Sequence, residues 1–385
     1  MSIRALFLSC GLVLVVGCVE SETVGATPST VVFGEDGRED WYEASDTTFA
    51  DRLEQATVVL VDPDYIDVTN PDDIVPNTIT LGAYQDLCDG ERFASQPAMG
   101  SCSGTLIDDD LVLTAAHCVD ASVCASWYFV FDYVMDGPDT LRTMTSDDVY
   151  TCAEILVSEY TADGEPVPWH DYAIVRLDRP VDAQRQLAPV RMRPALSRGD
   201  AITALGFGDG IPGKIHGDAM VGDAPPPRVW GYFEGSTDTF AGNSGSGTYN
   251  AEHELVGIFV RGGHDDYRMA PRGCHRVNVE PDANGSQEYD YASIAVNALC
   301  DTGYESARLC GTTGEVDAGA TTDAGNDATD AGAMPAGDAG VAVDAGEAPS
   351  MEDGCGCRVP AGRHSGGLGF GLALLALLVR RWRRG

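Results

Sequence analysis

The chain is short of positive charge. Lys and Arg together number 24 against 60 Asp and Glu, a net charge of −36 at pH 7. A surface this acidic is repelled by phosphate backbones, which argues against a nucleic-acid partner. The same charge resists self-association, so a monomer is expected. Lysine is almost missing: Lys214 is the only one in 385 residues, which reads as compositional bias rather than chemistry. The chain has no Gly-Lys-Ser/Thr phosphate loop, no Asp-rich EF-hand loop and no His-x-x-x-His pair, so no cofactor or metal is expected. No apolar run reaches the ~20 residues that a stable bilayer span needs.

Cysteine, by contrast, is present twelve times. Cys10 and Cys18 lie in an N-terminal apolar segment, and Cys355 and Cys357 in a C-terminal tail. The eight between them form an even set without a Cys-x-x-Cys pair, which lacks zinc or thioredoxin-like spacing. An oxidising, extracytoplasmic compartment is expected.

The two ends read as addresses. Arg4 precedes an apolar run from Ala5 to Val16, the pattern of a secretory signal. It closes on Val15-Val16-Gly17-Cys18, which resembles a bacterial lipobox and implies lipidation of Cys18 in a signal spanning residues 1–18. Residues 19–73 are acidic and read as a propeptide or linker, although Trp41, Tyr42 and Phe49 hint at order and Thr57–Val61 has strand character. From 311 to 354 the triplet Asp-Ala-Gly recurs with no aromatic or basic residue, which cannot bury enough apolar surface to offset its ordering entropy. Residues 355–385 join Cys355-Gly356-Cys357, an uncharged stretch from Gly366 to Val379, and Arg380-Arg381-Trp382-Arg383-Arg384. They resemble a sorting tail of the MYXO-CTERM type, which implies attachment to the membrane or display at the cell surface. The sequence does not decide between lipid and tail as the anchor.

The body, residues 74–310, reads as all-β. Short apolar runs such as Thr105–Ile107, Leu111–Leu113, Trp127–Phe131, Ala173–Leu177, Ala201–Phe207 and Leu255–Val260 are separated by turn residues, as in a sandwich or barrel. Only Ala292–Leu299 has helical character.

Three segments carry candidate chemistry: Cys102–Ile107 running on to Leu113-Thr114-Ala115-Ala116-His117-Cys118, then His170–Leu177 headed by Asp171, then Gly242-Asn243-Ser244-Gly245-Ser246-Gly247. Singly they read as packing, a strand cap and a turn. Together, in the order His, Asp, Ser, they resemble the trypsin/chymotrypsin clan of serine endopeptidases. The resemblance covers roughly Ile74 to Leu299 and implies two packed six-stranded antiparallel β-barrels with the site between them, followed by the C-terminal helix. It implies Ser244 as nucleophile, His117 as general base and Asp171 as the residue that orients it, with the amides of Gly242 and Ser244 as oxyanion hole and a protein or peptide as substrate. It also implies a Cys102–Cys118 disulfide beneath the histidine loop. The alternative is a non-catalytic binding module on the same fold.

Departures from the pattern bear on specificity. Asn243 stands where trypsin-like enzymes have Asp, and Gly-Asn-Ser-Gly-Ser is nearer the bacterial glutamyl-endopeptidase branch. That branch carries a His where this chain has Phe259, on the strand that continues Val260-Arg261-Gly262 and would line the pocket. Asp238 lies six residues before Ser244, where trypsin has its pocket Asp, and would favour basic side chains. Alternatively Asp238-Thr239 is a structural pair. Arg261 would favour acidic side chains or face solvent. Among the other cysteines, Cys124–Cys152 would bridge the loop after His117 and Cys300–Cys310 would close the body, leaving Cys88 and Cys274. Six cysteines allow fifteen pairings, so the sequence leaves these open.

Overall fold

A computed structural model describes residues 32–161, 168–193, 196–262, 265–281 and 286–311. The expected signal with Cys18, the Asp-Ala-Gly segment beyond residue 311, and the tail with Cys355 and Cys357 lie outside the described residues. The catalytic candidates depend on two β-structures. The first is a closed six-stranded barrel of β2 (Thr57–Val61), β3 (Cys102–Asp108), β4 (Leu111–Thr114), β5 (Tyr128–Val130), β6 (Val149–Tyr160) and β7 (Asp171–Leu177), ordered β6-β7-β4-β3-β2-β5. The second is an antiparallel sheet of seven strands. It holds β1 (Arg38–Asp40), β8 (Ala201–Gly206), β9 (Lys214–Met220), β10 (Tyr232–Gly235), β11 (Gly247–Asn250), β12 (Leu255–Arg261) and β13 (Gln287–Tyr291), ordered β10-β13-β12-β11-β8-β9-β1. The expected pair of barrels is thus one closed barrel and one open, seven-stranded half-barrel. The expected C-terminal helix is α2 (Ala292–Asp301).

The body does not begin at residue 74, as the sequence suggested. Two of its strands, β1 and β2, precede that point, and the five residues of β2 are fully buried. Between them α1 (Thr47–Ala56) starts where Asp46 accepts the amides of Thr48 and Phe49, an N-cap that satisfies otherwise orphaned donors. Phe49, Ala50, Leu53 and Ala56 fall on one face of this helix and are buried. They join a core that holds Leu106, Ile174, Leu205 and Ile258 from both β-structures. Four disulfides, Cys88–Cys274, Cys102–Cys118, Cys124–Cys152 and Cys300–Cys310, close the body, which fits an oxidising compartment.

The single lysine is not incidental. Lys214 is 1% exposed, and its ammonium sits 2.7 Å from Asp40 Oδ1 on the paired strand β1. It also donates to Gln96 Oε1 and to the Pro212 carbonyl, while Gln96 Nε2 donates to both oxygens of Asp40. Burial pushes the lysine down to about 8 even with Asp40 beside it. A charge removed from water this completely survives only when paired and hydrogen-bonded. We expect Lys214→Ala, which leaves the Asp40 carboxylate buried without this cation, to cost about 3–5 kcal/mol, read as a lowered urea midpoint. The double variant Asp40→Leu/Lys214→Met should recover much of the loss, because a matched apolar pair replaces the buried ions.

Candidate functional site

His117 sits in a single 3-10 turn, Ala116–Cys118, entered directly from β4. The Cys102–Cys118 disulfide ties this turn to the start of β3 across a sequence separation of 16. Closing a loop of that length is worth about 3 kcal/mol in the chain-entropy model. Asp171 heads β7, next to β4 in the barrel, and is 1% exposed. Its carboxylate grips the histidine twice: Oδ1 accepts the His117 main-chain N–H at 3.0 Å, and Oδ2 lies 2.6 Å from Nδ1. That contact assigns the proton to Nδ1 and leaves Nε2 as the ring's acceptor. The Asp171 amide in turn donates to Asp290 Oδ2 on β13, at 2.5 Å.

Ser244 comes from the other β-structure, on the loop between β10 and β11. Gly242 (φ +96°) and Gly245 (φ +85°) flank it in the left-handed region that glycine reaches without strain. A Cβ on Gly245 would lie 2.1 Å from the Ser103 carbonyl oxygen. The loop is held from within by Asn243, which is fully buried: its Oδ1 accepts the Phe240 amide at 2.9 Å and its Nδ2 donates to Ser246 Oγ at 3.0 Å. Here a neutral amide fills the position where a charged partner would serve in trypsin-like chains. Ser103 of β3 stitches this loop to the barrel. Its amide donates to the Ser244 carbonyl at 2.8 Å, its hydroxyl donates to the Gly242 carbonyl at 2.8 Å, and that hydroxyl accepts the Phe207 amide at 3.0 Å.

A cavity of about 620 Å³ opens over this assembly, with His117, Asp171, Gly242 and Ser244 in its lining. Phe259, Val260, Arg261 and Gly262 line it too, so the expected substrate strand borders the site. Phe259 packs against Tyr289 and offers no polar group. Arg261 does not face solvent: its Nε is 2.7 Å from Glu288 Oε2, and its guanidinium lies 4.8 Å from the Trp169 ring centre. Its positive charge is therefore matched locally. His117 lies close to Cys102 and Cys118 Sγ, but those sulfurs are bonded to each other and offer no thiolate to a metal.

Asp238 and Thr239 are not in the cavity lining, contrary to the reading of Asp238 as a pocket base. Asp238 is buried and faces the N-terminal segment: Oδ1 accepts the Phe33 amide and Oδ2 the Gly37 amide, each at 2.8 Å. The physical reason is where its partners lie. The carboxylate is spent on two main-chain donors of a strap that the sequence reading had set outside the domain. That strap continues into Arg38, whose guanidinium stacks 4.1 Å from the ring centre of Phe240, a cavity-lining residue. Ser103 carries no signal of its role in the sequence, although it lies in the Cys-Ser-Gly-Thr segment, and neither do Asp290 and Glu288, which sit in a polar stretch with no recognisable motif.

Residues 102–258 match the family model of the trypsin-like peptidase domain. Phenoloxidase-activating factor 1 of Holotrichia diomphalia is 26% identical over 167 residues, 37% of this chain and 41% of that protein. Serine protease 7 of Drosophila melanogaster is 31% identical over 121 residues, 28% of this chain and 31% of that protein. The chain thus spans less than half the length of these relatives. A solved structure of a Glu endopeptidase in complex with MPD covers 71% of this chain and 99% of its own, at 16% identity and a TM-score of 0.41.

Burial pushes the Asp238 carboxyl up from 3.8 to about 6, against the pull of the Phe33 and Gly37 amides. The folded chain therefore keeps this proton to a higher pH than the unfolded chain. The stability owed to it falls as pH rises from about 4 to about 6. Asp238→Asn should flatten that stretch of the stability curve, measured by urea melts. It should leave the relative cleavage of Arg and Glu peptides unchanged, since the residue does not line the pocket.

Proposed function

We propose that this chain, which carries a trypsin-like peptidase domain over residues 102–258, is a serine-type endopeptidase acting through Ser244, His117 and Asp171. The observation that carries the reading is the double grip of Asp171 on His117, at 3.0 and 2.6 Å, beside a cavity that Ser244 also lines.

A serine hydroxyl is a poor nucleophile near neutral pH and needs a base. With Nδ1–H donating to Asp171, Nε2 of His117 takes the Ser244 Oγ proton as Oγ bonds to the scissile carbonyl carbon. The carbonyl oxygen becomes an oxyanion, received by the amides of Gly242 and Ser244, and each such donor is worth about 3–4 kcal/mol. The imidazolium, stabilised by Asp171, gives its proton to the leaving nitrogen. The C–N bond breaks, the amine product departs and an ester remains on Ser244. Water then loses a proton to Nε2 and adds to the ester, and Oγ leaves with that proton. The substrate is a protein or peptide.

In this reading the enzyme is exported and tethered at the cell surface. Four disulfides in the body support an oxidising setting. The lipobox-like Val-Val-Gly-Cys ending at Cys18 and the tail from Cys355 support two alternative anchors, with the acidic 311–354 segment as spacer.

Ser244→Ala should lower kcat/KM on a peptide library by roughly 10⁴–10⁶-fold while the melting temperature and four disulfides are unchanged. A fluorophosphonate should label the wild type at Ser244 and not the variant. Undiminished cleavage by the pure variant sinks the reading. A folded wild type that neither labels nor cleaves points instead to a binding module.

A further inference from the structure

Behind the candidate triad lies a second acid that the mechanism above does not use. Asp290 sits on β13 of the seven-stranded sheet, paired in register with Tyr232 of β10 and Ile258 of β12. Asp171 heads a strand of the barrel, 119 residues away in sequence. The 2.5 Å bond from the Asp171 amide to Asp290 Oδ2 therefore crosses from one β-structure to the other. The carboxylate of Asp171 is fixed by His117 on one side, and its main chain is fixed by Asp290 on the other. Any shift of Asp290 moves the start of β7, and the carboxylate with it.

We propose that Asp290 is a positioning residue for this site, holding the Asp171 main chain so that its carboxylate meets His117 while Ser244 is supplied by the sheet that carries Asp290. The inference rests on the serine-endopeptidase reading and adds to it a residue outside the triad.

The chemistry around Asp290 says how it does this. The residue is 1% exposed, and its second oxygen, Oδ1, is buried without a hydrogen-bond partner among the described residues. The groups facing it are Asp171 and Tyr172 from β7, Arg261 from β12 and Glu288 from its own strand. Arg261 is already paired with Glu288. Burial, with Asp171 adding like-charge repulsion, pushes the Asp290 carboxyl well above the usual range, against the opposing Asp171 amide bond and Arg261. Burial and the neighbouring Asp171 thus disfavour the charged form of Asp290. What Asp290 offers the Asp171 main chain is an acceptor oxygen. An uncharged acceptor of the same shape should therefore replace it, and an apolar residue of similar size should not.

The test compares Asp290→Asn and Asp290→Val in the disulfide-bonded protein, with wild type and Ser244→Ala alongside. Asparagine keeps a carbonyl acceptor and no charge. Valine keeps the size and suits a buried strand but accepts nothing. Melting temperature is measured first for each. We expect Asp290→Asn to retain kcat within about threefold, with the acid limb of the kcat/KM–pH profile unmoved, and Asp290→Val to lose roughly 10–100-fold in kcat with little change in KM. A folded valine variant as active as wild type overturns the proposal. So does an asparagine variant whose acid limb moves down by about a pH unit or more, because Asp290 would then act by charge. If valine prevents folding, the asparagine variant decides alone: full activity with an unmoved limb supports the proposal, and a large loss of kcat overturns it. A wild type that fails to label with fluorophosphonate overturns the serine-endopeptidase reading, and this inference with it. A labelled wild type with an undiminished valine variant overturns only this inference.

Discussion

The stitch made by Ser103 is the constraint on which the site depends. His117 and Asp171 come from a turn and a strand closed by disulfide and barrel pairing, whereas Ser244 comes from a loop of the other sheet. The Ser103 amide and hydroxyl bind the carbonyls of Ser244 and Gly242, so the strand that Cys102 bonds to the histidine turn also sets the height of the serine loop. Gly245 is confined by the same strand, because no side chain fits against the Ser103 carbonyl. Asn243 keeps the loop rigid from within. A nucleophile needs its neighbours fixed to within a fraction of an ångström before it reacts, and here that precision comes from main-chain hydrogen bonds rather than from long, mobile side chains.

A second constraint runs along the N-terminal strap. Asp238 holds Phe33 and Gly37, Arg38 stacks on Phe240, and Asp40 pairs with Lys214. Each of these is a polar or charged group taken out of water, which is stable only with its partner in place. Residues 32–61 are therefore packed into the folded body, and Arg38 backs Phe240 of the cavity wall.

Much of this was legible in the sequence, and what was not has physical reasons. Strands that alternate or run apolar, such as Leu111–Thr114 and Leu255–Arg261, announced themselves, as did α2 with its Ala, Ile, Val and Leu positions. Lys214–Met220 did not, because Gly217 and Asp218 interrupt its pattern, and Gln287–Tyr291 did not, because its buried side chains are Gln, Tyr and Asp. The His, Asp and Ser segments were readable because their roles demand fixed residue types at fixed turns. Asp238 was left between a pocket and a structural reading because position along the chain does not say which way a carboxylate points; only the fold shows that it faces main-chain donors across more than 200 residues. Asp290 had no signal, since an acid in a polar strand looks like solvent-facing surface until the partner amide is found.

The burial of Lys214 has a practical consequence. It is the only lysine in the chain and is 1% exposed, so the folded protein presents no accessible ε-amine. Carbodiimide coupling through lysine, lysine-directed succinimidyl dyes and lysyl endopeptidases would all find no lysine side chain on the native surface.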